Sequence, residues 1–92
     1  MYIRTSNVWE SGAETPEAAI GLKIRADLMI KLREIIHANG WSQKEAGEQL
    51  GLTQNRVSYI INGQVSKFTT ERLIELLSKI GYTVTVGVQA AA

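Results

Sequence analysis

The sequence predicts a mainly α-helical bundle of four to five helices followed by one C-terminal β-strand. Three observations predict it. Apolar residues recur at helical spacing in successive stretches between Leu28 and Ile80. Each helical stretch opens on Ser or Thr and closes on glycine. After Gly81 the period changes to two: Tyr82, Val84, Val86 and Val88 alternate with Thr83, Thr85 and Gly87. The 92 residues suffice for one small domain. The pattern divides them into an N-terminal arm over 1–15, a helical domain over 16–81, the strand over 82–88 and a tail over 89–92.

The arm is polar and broken by Ser6, Asn7, Ser11 and Gly12, yet carries Tyr2, Ile3, Val8 and Trp9. Those apolar residues either dock on a partner or cover the domain's own core. Thr15-Pro16-Glu17 starts the first helix with a cap, a proline at the first helical position and an acid in the first turn. The pattern runs to Asn39, with a loosening expected at Gly21. Leu28, Met29, Leu32, Ile35 and Ile36 form its core stripe, and Lys23, Arg25, Lys31, Arg33 and Glu34 occupy the other faces. Asn39-Gly40 ends it, and Trp41 is placed to fold back as a core anchor.

The central stretch, Ser42 to Gly63, carries the densest set of signals. Ser42 with Glu45 three residues on makes a capping box. Ala46 and Leu50 make that helix's inner face, Gly51 ends it and Leu52 plugs the corner. Thr53 caps the next helix, whose stripe is Val57, Ile60 and Ile61, and Gly63 closes it. Two short helices joined by a glycine turn make a helix-turn-helix, which can set its second helix in a DNA major groove. Gln64 to Phe68 is then a short loop with Lys67. Thr69 or Thr70 caps the last helix, with Glu71 behind it and Leu73, Leu76, Leu77 and Ile80 as its stripe.

Composition narrows the function. A net charge of +1 argues against a strongly basic, non-specific nucleic-acid binder, though a local cluster matters more than the total. With no cysteine and the single histidine His37, there is no disulfide framework, thiolate site or His-based triad, and no cofactor is implied. Glu10, Glu14 and Glu17 are arm or helix-start acids rather than a carboxylate pair in a pocket. An enzyme is therefore not expected. No apolar run reaches the roughly 18 residues of a membrane span, and the start lacks a signal-peptide layout. A cytoplasmic protein with no membrane partner is the expectation.

On the second helix of the central pair, Gln54, Asn55, Ser58 and Tyr59 share the face opposite the stripe. Gln and Asn can pair with adenine edges in the major groove, so these four are the candidate base readers. Gln43, Lys44, Arg56, Asn62 and Lys67 flank them as candidate phosphate contacts. Gln43 can also brace a glutamine of the second helix. A polar solvent face on an ordinary helical hairpin is the plain alternative. The strand over 82–88 needs a ladder partner. A second protomer, the segment Tyr2 to Thr5, or the sheet edge of another protein could each supply one. A two-fold dimer through Tyr82, Val84, Val86 and Val88 is favoured, because half-site reading also needs two copies.

Gln43, Gly51, Val57 and Ile60, with Thr53-Gln54 and Val57-Ser58, resemble the Xre family of phage-repressor-like helix-turn-helix proteins, whose fold is lambda repressor-like. Ser6-Asn7-Val8, Leu22-Lys23-Ile24-Arg25-Ala26 with Leu28 and Met29, and Lys67-Phe68 resemble its HigA-like antitoxin branch. Gly47 departs from the alanine usual in the family. It lowers helix propensity by about 1 kcal/mol, so that helix is expected to be less rigid. The resemblance implies an antitoxin that blocks a RelE/HigB-like ribonuclease toxin, binds double-stranded operator DNA as a homodimer and represses its own operon. For DNA it carries over Gln43, Gln54, Asn55, Ser58 and Tyr59. Tyr2, Ile3, Val8 and Trp9, or the helix from Pro16 to Asn39, are the inferred toxin-binding surface. The other readings are an Xre-type repressor without a toxin, and a purely protein-binding helical module.

Overall fold

A computed structural model describes residues 15–91. The first helix, α1 (Pro16–Ala38), is opened by Thr15, whose hydroxyl accepts the Ala18 N–H at 3.1 Å. It runs unbroken through Gly21 instead of loosening there. A single helical glycine costs only about 1 kcal/mol, which an otherwise continuous helix absorbs. Leu28, Met29, Leu32, Ile35 and Ile36 are buried as one stripe. At the far end the Trp41 N–H donates to Ile36 O at 3.2 Å, and the indole lies half-buried against the core.

Three shorter helices follow: α2 (Gln43–Leu50), α3 (Gln54–Ile61) and α4 (Thr70–Lys79). A 3₁₀ turn, Val65–Lys67, lies inside the expected loop before α4. Thr69 is the residue that caps α4, its hydroxyl accepting the Arg72 N–H at 3.1 Å. α1 packs on α4, α3 and the 3₁₀ turn, while α2 packs on α3 and α4. The core where they meet includes Leu32, Leu50, Ile60, Leu73, Leu76 and Leu77, with Phe68 from the loop. Burial of these side chains, not the propensity of eight-residue helices, is what holds α2 and α3 in helical form.

The expected strand is not formed among the described residues. Of residues 82–88 only Thr85 makes a β-bridge. Alternation makes a segment competent to pair, but a strand exists only where a second backbone meets it along its length. Val84 packs partly against the core, whereas Tyr82, Val86 and Val88 remain exposed at 42%, 64% and 94%. Tyr2, Ile3, Val8 and Trp9 lie outside the described residues.

Candidate nucleic-acid interface

The turn between α2 and α3 is built by local hydrogen bonds. The Ser42 hydroxyl accepts the Glu45 N–H at 3.1 Å, and the Glu45 carboxylate accepts the Ser42 N–H at 3.1 Å. These reciprocal bonds satisfy two amides that a helix start leaves open. Gly51 ends α2 in the left-handed conformation, φ 69° and ψ 35°, where a side chain would be strained. The N–H groups of Gly51 and Leu52 both donate to Gly47 O, the latter at 2.9 Å. The Leu52 carbonyl folds back so far that a Cβ on Gly47 would stand 2.5 Å from its oxygen. The glycine that looks like a weak helix former is therefore what lets the turn close.

Thr53 caps α3, its hydroxyl accepting the Arg56 N–H at 3.3 Å. Val57 and Ile60 are buried, and Ile61 packs partly on the core. Gln54, Asn55, Arg56 and Asn62 are exposed, with Ser58 and Tyr59 half-buried. α3 thus carries Gln54, Asn55, Ser58 and Tyr59 on its polar side. Two of them are joined one turn apart, Asn55 donating to the Tyr59 hydroxyl at 3.3 Å, and Ser58 is joined to the cap residue Asn62, which donates to its hydroxyl at 3.1 Å. Gln43 and Lys44 are exposed in the first turn of α2. The bracing contact expected between Gln43 and a glutamine of α3 is not made: no hydrogen bond joins Gln43 to Gln54 among the described residues, although each opens its helix.

Tertiary contacts join two of the candidate phosphate contacts, Arg56 and Lys67, and bring Phe68 and Arg33 against this surface. The Arg56 guanidinium lies over the buried Phe68 ring, 4.8 Å from its centroid, and donates to Lys67 O at 3.3 Å. The Lys67 ammonium lies 5.2 Å from the Tyr59 ring centroid, within range of the ring's negative face. Arg33 of α1 is half-buried and donates to Ile61 O at 3.3 Å, closing the C-terminal end of α3. Arg56 and Lys67 stood out in the sequence as candidate phosphate contacts and Lys67-Phe68 in the resemblance, but nothing in it pointed to Arg33. Among the described residues no three His, Cys, Asp or Glu side chains are grouped to hold a metal ion. No helix there is long and apolar enough to cross a membrane.

A family model described as a helix-turn-helix domain matches residues 13–89, which takes in all four helices and the alternating segment after them. The chain belongs to that helix-turn-helix family. No curated protein matches it in a sequence comparison. In this DNA-binding helix-turn-helix domain, α2 and α3 are the paired helices and α3 occupies the position of the recognition helix. α1 and α4 form the scaffold that buries the apolar sides of both.

Proposed function

We propose that this helix-turn-helix protein is the antitoxin of a type II toxin–antitoxin pair. It binds double-stranded operator DNA as a homodimer in the cytoplasm, represses its own operon, and neutralises a RelE/HigB-like ribonuclease toxin. The DNA half rests on one observation: α3 is buried through Val57 and Ile60 while Gln54, Asn55, Ser58 and Tyr59 stand on its polar side. In this reading those four contact base edges. Gln43, Lys44, Arg56, Asn62 and Lys67 are the candidates for phosphate contacts, which set register without carrying sequence. The toxin half rests on the resemblance of Ser6-Asn7-Val8, Leu22 to Ala26 and Lys67-Phe68 to HigA-like proteins of the Xre family.

Dimerisation is proposed through antiparallel pairing of residues 82–88, whose exposed Tyr82, Val86 and Val88 supply apolar surface. Coexpression with the product of the adjacent gene, followed by pull-down, tests the antitoxin role. Capture of a small basic protein is expected, with loss of capture when residues 1–14 are deleted. Capture that survives the deletion assigns toxin binding elsewhere. No capture, together with retained operator binding, leaves an Xre-type repressor without a toxin partner.

A further inference from the structure

We infer that Arg56 is a positioning residue for Lys67, and that Lys67 alone of the two neutralises a DNA phosphate. The inference rests on the DNA-binding reading above but assigns roles that it leaves open. Arg56 and Lys67 are both exposed and cationic, so by sequence each is an equal candidate for a backbone contact.

Their surroundings differ. Arg56 is held from two sides: its planar group lies on Phe68 and one of its N–H groups is spent on the Lys67 carbonyl. One of its five N–H groups is committed there and its plane is held over the ring, which fixes the guanidinium against the loop. The Lys67 ammonium has a ring contact, to Tyr59, but among the described residues no hydrogen bond. Its three N–H donors are unspent, and the group rests beside the Tyr59 ring. Tyr59 is in turn bonded to Asn55 on the outward side of α3. Lys67 therefore stands at the rim of the proposed base-reading surface. Its backbone ends a 3₁₀ turn that has no side-chain cap at its start. Beside the Gln64 N–H to Tyr59 O bond at 2.9 Å and the burial of Phe68, Arg56 adds the side-chain tie from α3 to the Lys67 carbonyl itself, so losing it loosens the lysine at the rim. One connected rack, from Phe68 through Arg56, Lys67 and Tyr59 to Asn55, links the core to the outer surface.

The test is a double-mutant cycle read by salt dependence. Fluorescence anisotropy follows binding of a labelled mixed-sequence duplex, which isolates phosphate contacts from base reading. Affinity is measured across a series of salt concentrations for wild type, R56A, R56K, K67A and R56A/K67A. Thermal melting confirms that each is folded at the temperature used. One lost phosphate contact lowers the slope of log K against log salt by about 0.9 per bound chain, roughly eightfold in affinity at 0.1 M salt. K67A and R56A are each expected to lose that one contact, and the double variant to lose no more than K67A. R56K is expected to behave as R56A. Lysine keeps the charge a phosphate ligand needs but not the planar fork that spans Phe68 and Lys67 O. A double variant that loses about twice the single-contact slope overturns the inference. So does R56K with a wild-type slope, or R56A that leaves the slope unchanged. Wild type without salt-dependent binding overturns the DNA reading itself, whereas binding with additive losses overturns only the positioning role.

Discussion

Replacing Gly47 by alanine sets helix propensity against the geometry of the turn. Propensity favours alanine by about 1 kcal/mol in a helix interior. The structure opposes it, because the added Cβ would meet Leu52 O at 2.5 Å, while Val57 Cγ2 at 3.7 Å is an ordinary contact. Reaching 3.4 Å, where ordinary contact begins, means opening the turn by 0.9 Å. The obstacle is backbone, pinned on one side by Leu52 N–H to Gly47 O at 2.9 Å and on the other by the Thr53 cap. Overpacking of this kind costs roughly 1–3 kcal/mol, and a pinned backbone belongs at the upper end. The net expectation is a loss of about 1–2 kcal/mol. For a domain of this size that lowers the melting temperature by roughly 5–15 °C. Thermal unfolding followed by circular dichroism measures it. Because the same contact sets how α3 leaves α2, operator affinity should fall as well. A variant that melts at or above the wild-type temperature would show that the turn opens freely, and the reasoning would be refuted.

Other perturbations separate the remaining roles. Ser42→Ala removes one half of the reciprocal cap and should cost about 0.5–1 kcal/mol, since the site is exposed; an unchanged melting temperature would mean that water replaces the cap without loss. Gln54→Ala should weaken binding to a site selected from a random-sequence pool by about 1–3 kcal/mol and broaden the sequences recovered. An unchanged selection would remove Gln54 from the base readers. Lys44→Ala should instead weaken binding to all duplexes alike, and selective loss on one sequence would contradict a phosphate role. Val86→Lys with Val88→Lys should shift the protein from dimer to monomer in sedimentation at micromolar concentration. A dimer that persists would place the interface away from residues 82–88.

The features legible in the sequence are those whose causes are local. A capping box needs only Ser42 and Glu45 three residues apart, and the structure forms both of its bonds. The same holds for the Thr15 and Thr53 caps and for the left-handed Gly51. The core stripes were legible for a related reason. At 3.6 residues per turn, Leu28, Leu32 and Ile36 must share a side with each other whatever they pack against. Of the last helix's stripe, Leu73, Leu76 and Leu77 are buried, and Ile80, which caps the C-terminal end, only partly. The strand was not decided in this way. Alternation in Tyr82 to Val88 states which side chains share a face, but the ladder that makes a strand is a relation between two backbones.

By itself, then, the sequence determined to within a residue or so where the four α-helices start and stop, which face of each is apolar, and which amides and cations stand opposite that face. Those properties follow from backbone hydrogen bonding and helical periodicity within a few residues. Only the tertiary structure decided what the polar residues do for one another. Arg33 reaches Ile61 O across 28 positions, and Arg56 reaches Lys67 O across 11. It also decided that Gly47 is required by the turn, because the atom it must avoid belongs to Leu52, beyond the end of its own helix. Such contacts depend on how α1, α3 and the loop are brought together by burial of the shared core, and no spacing rule along the chain encodes that distance.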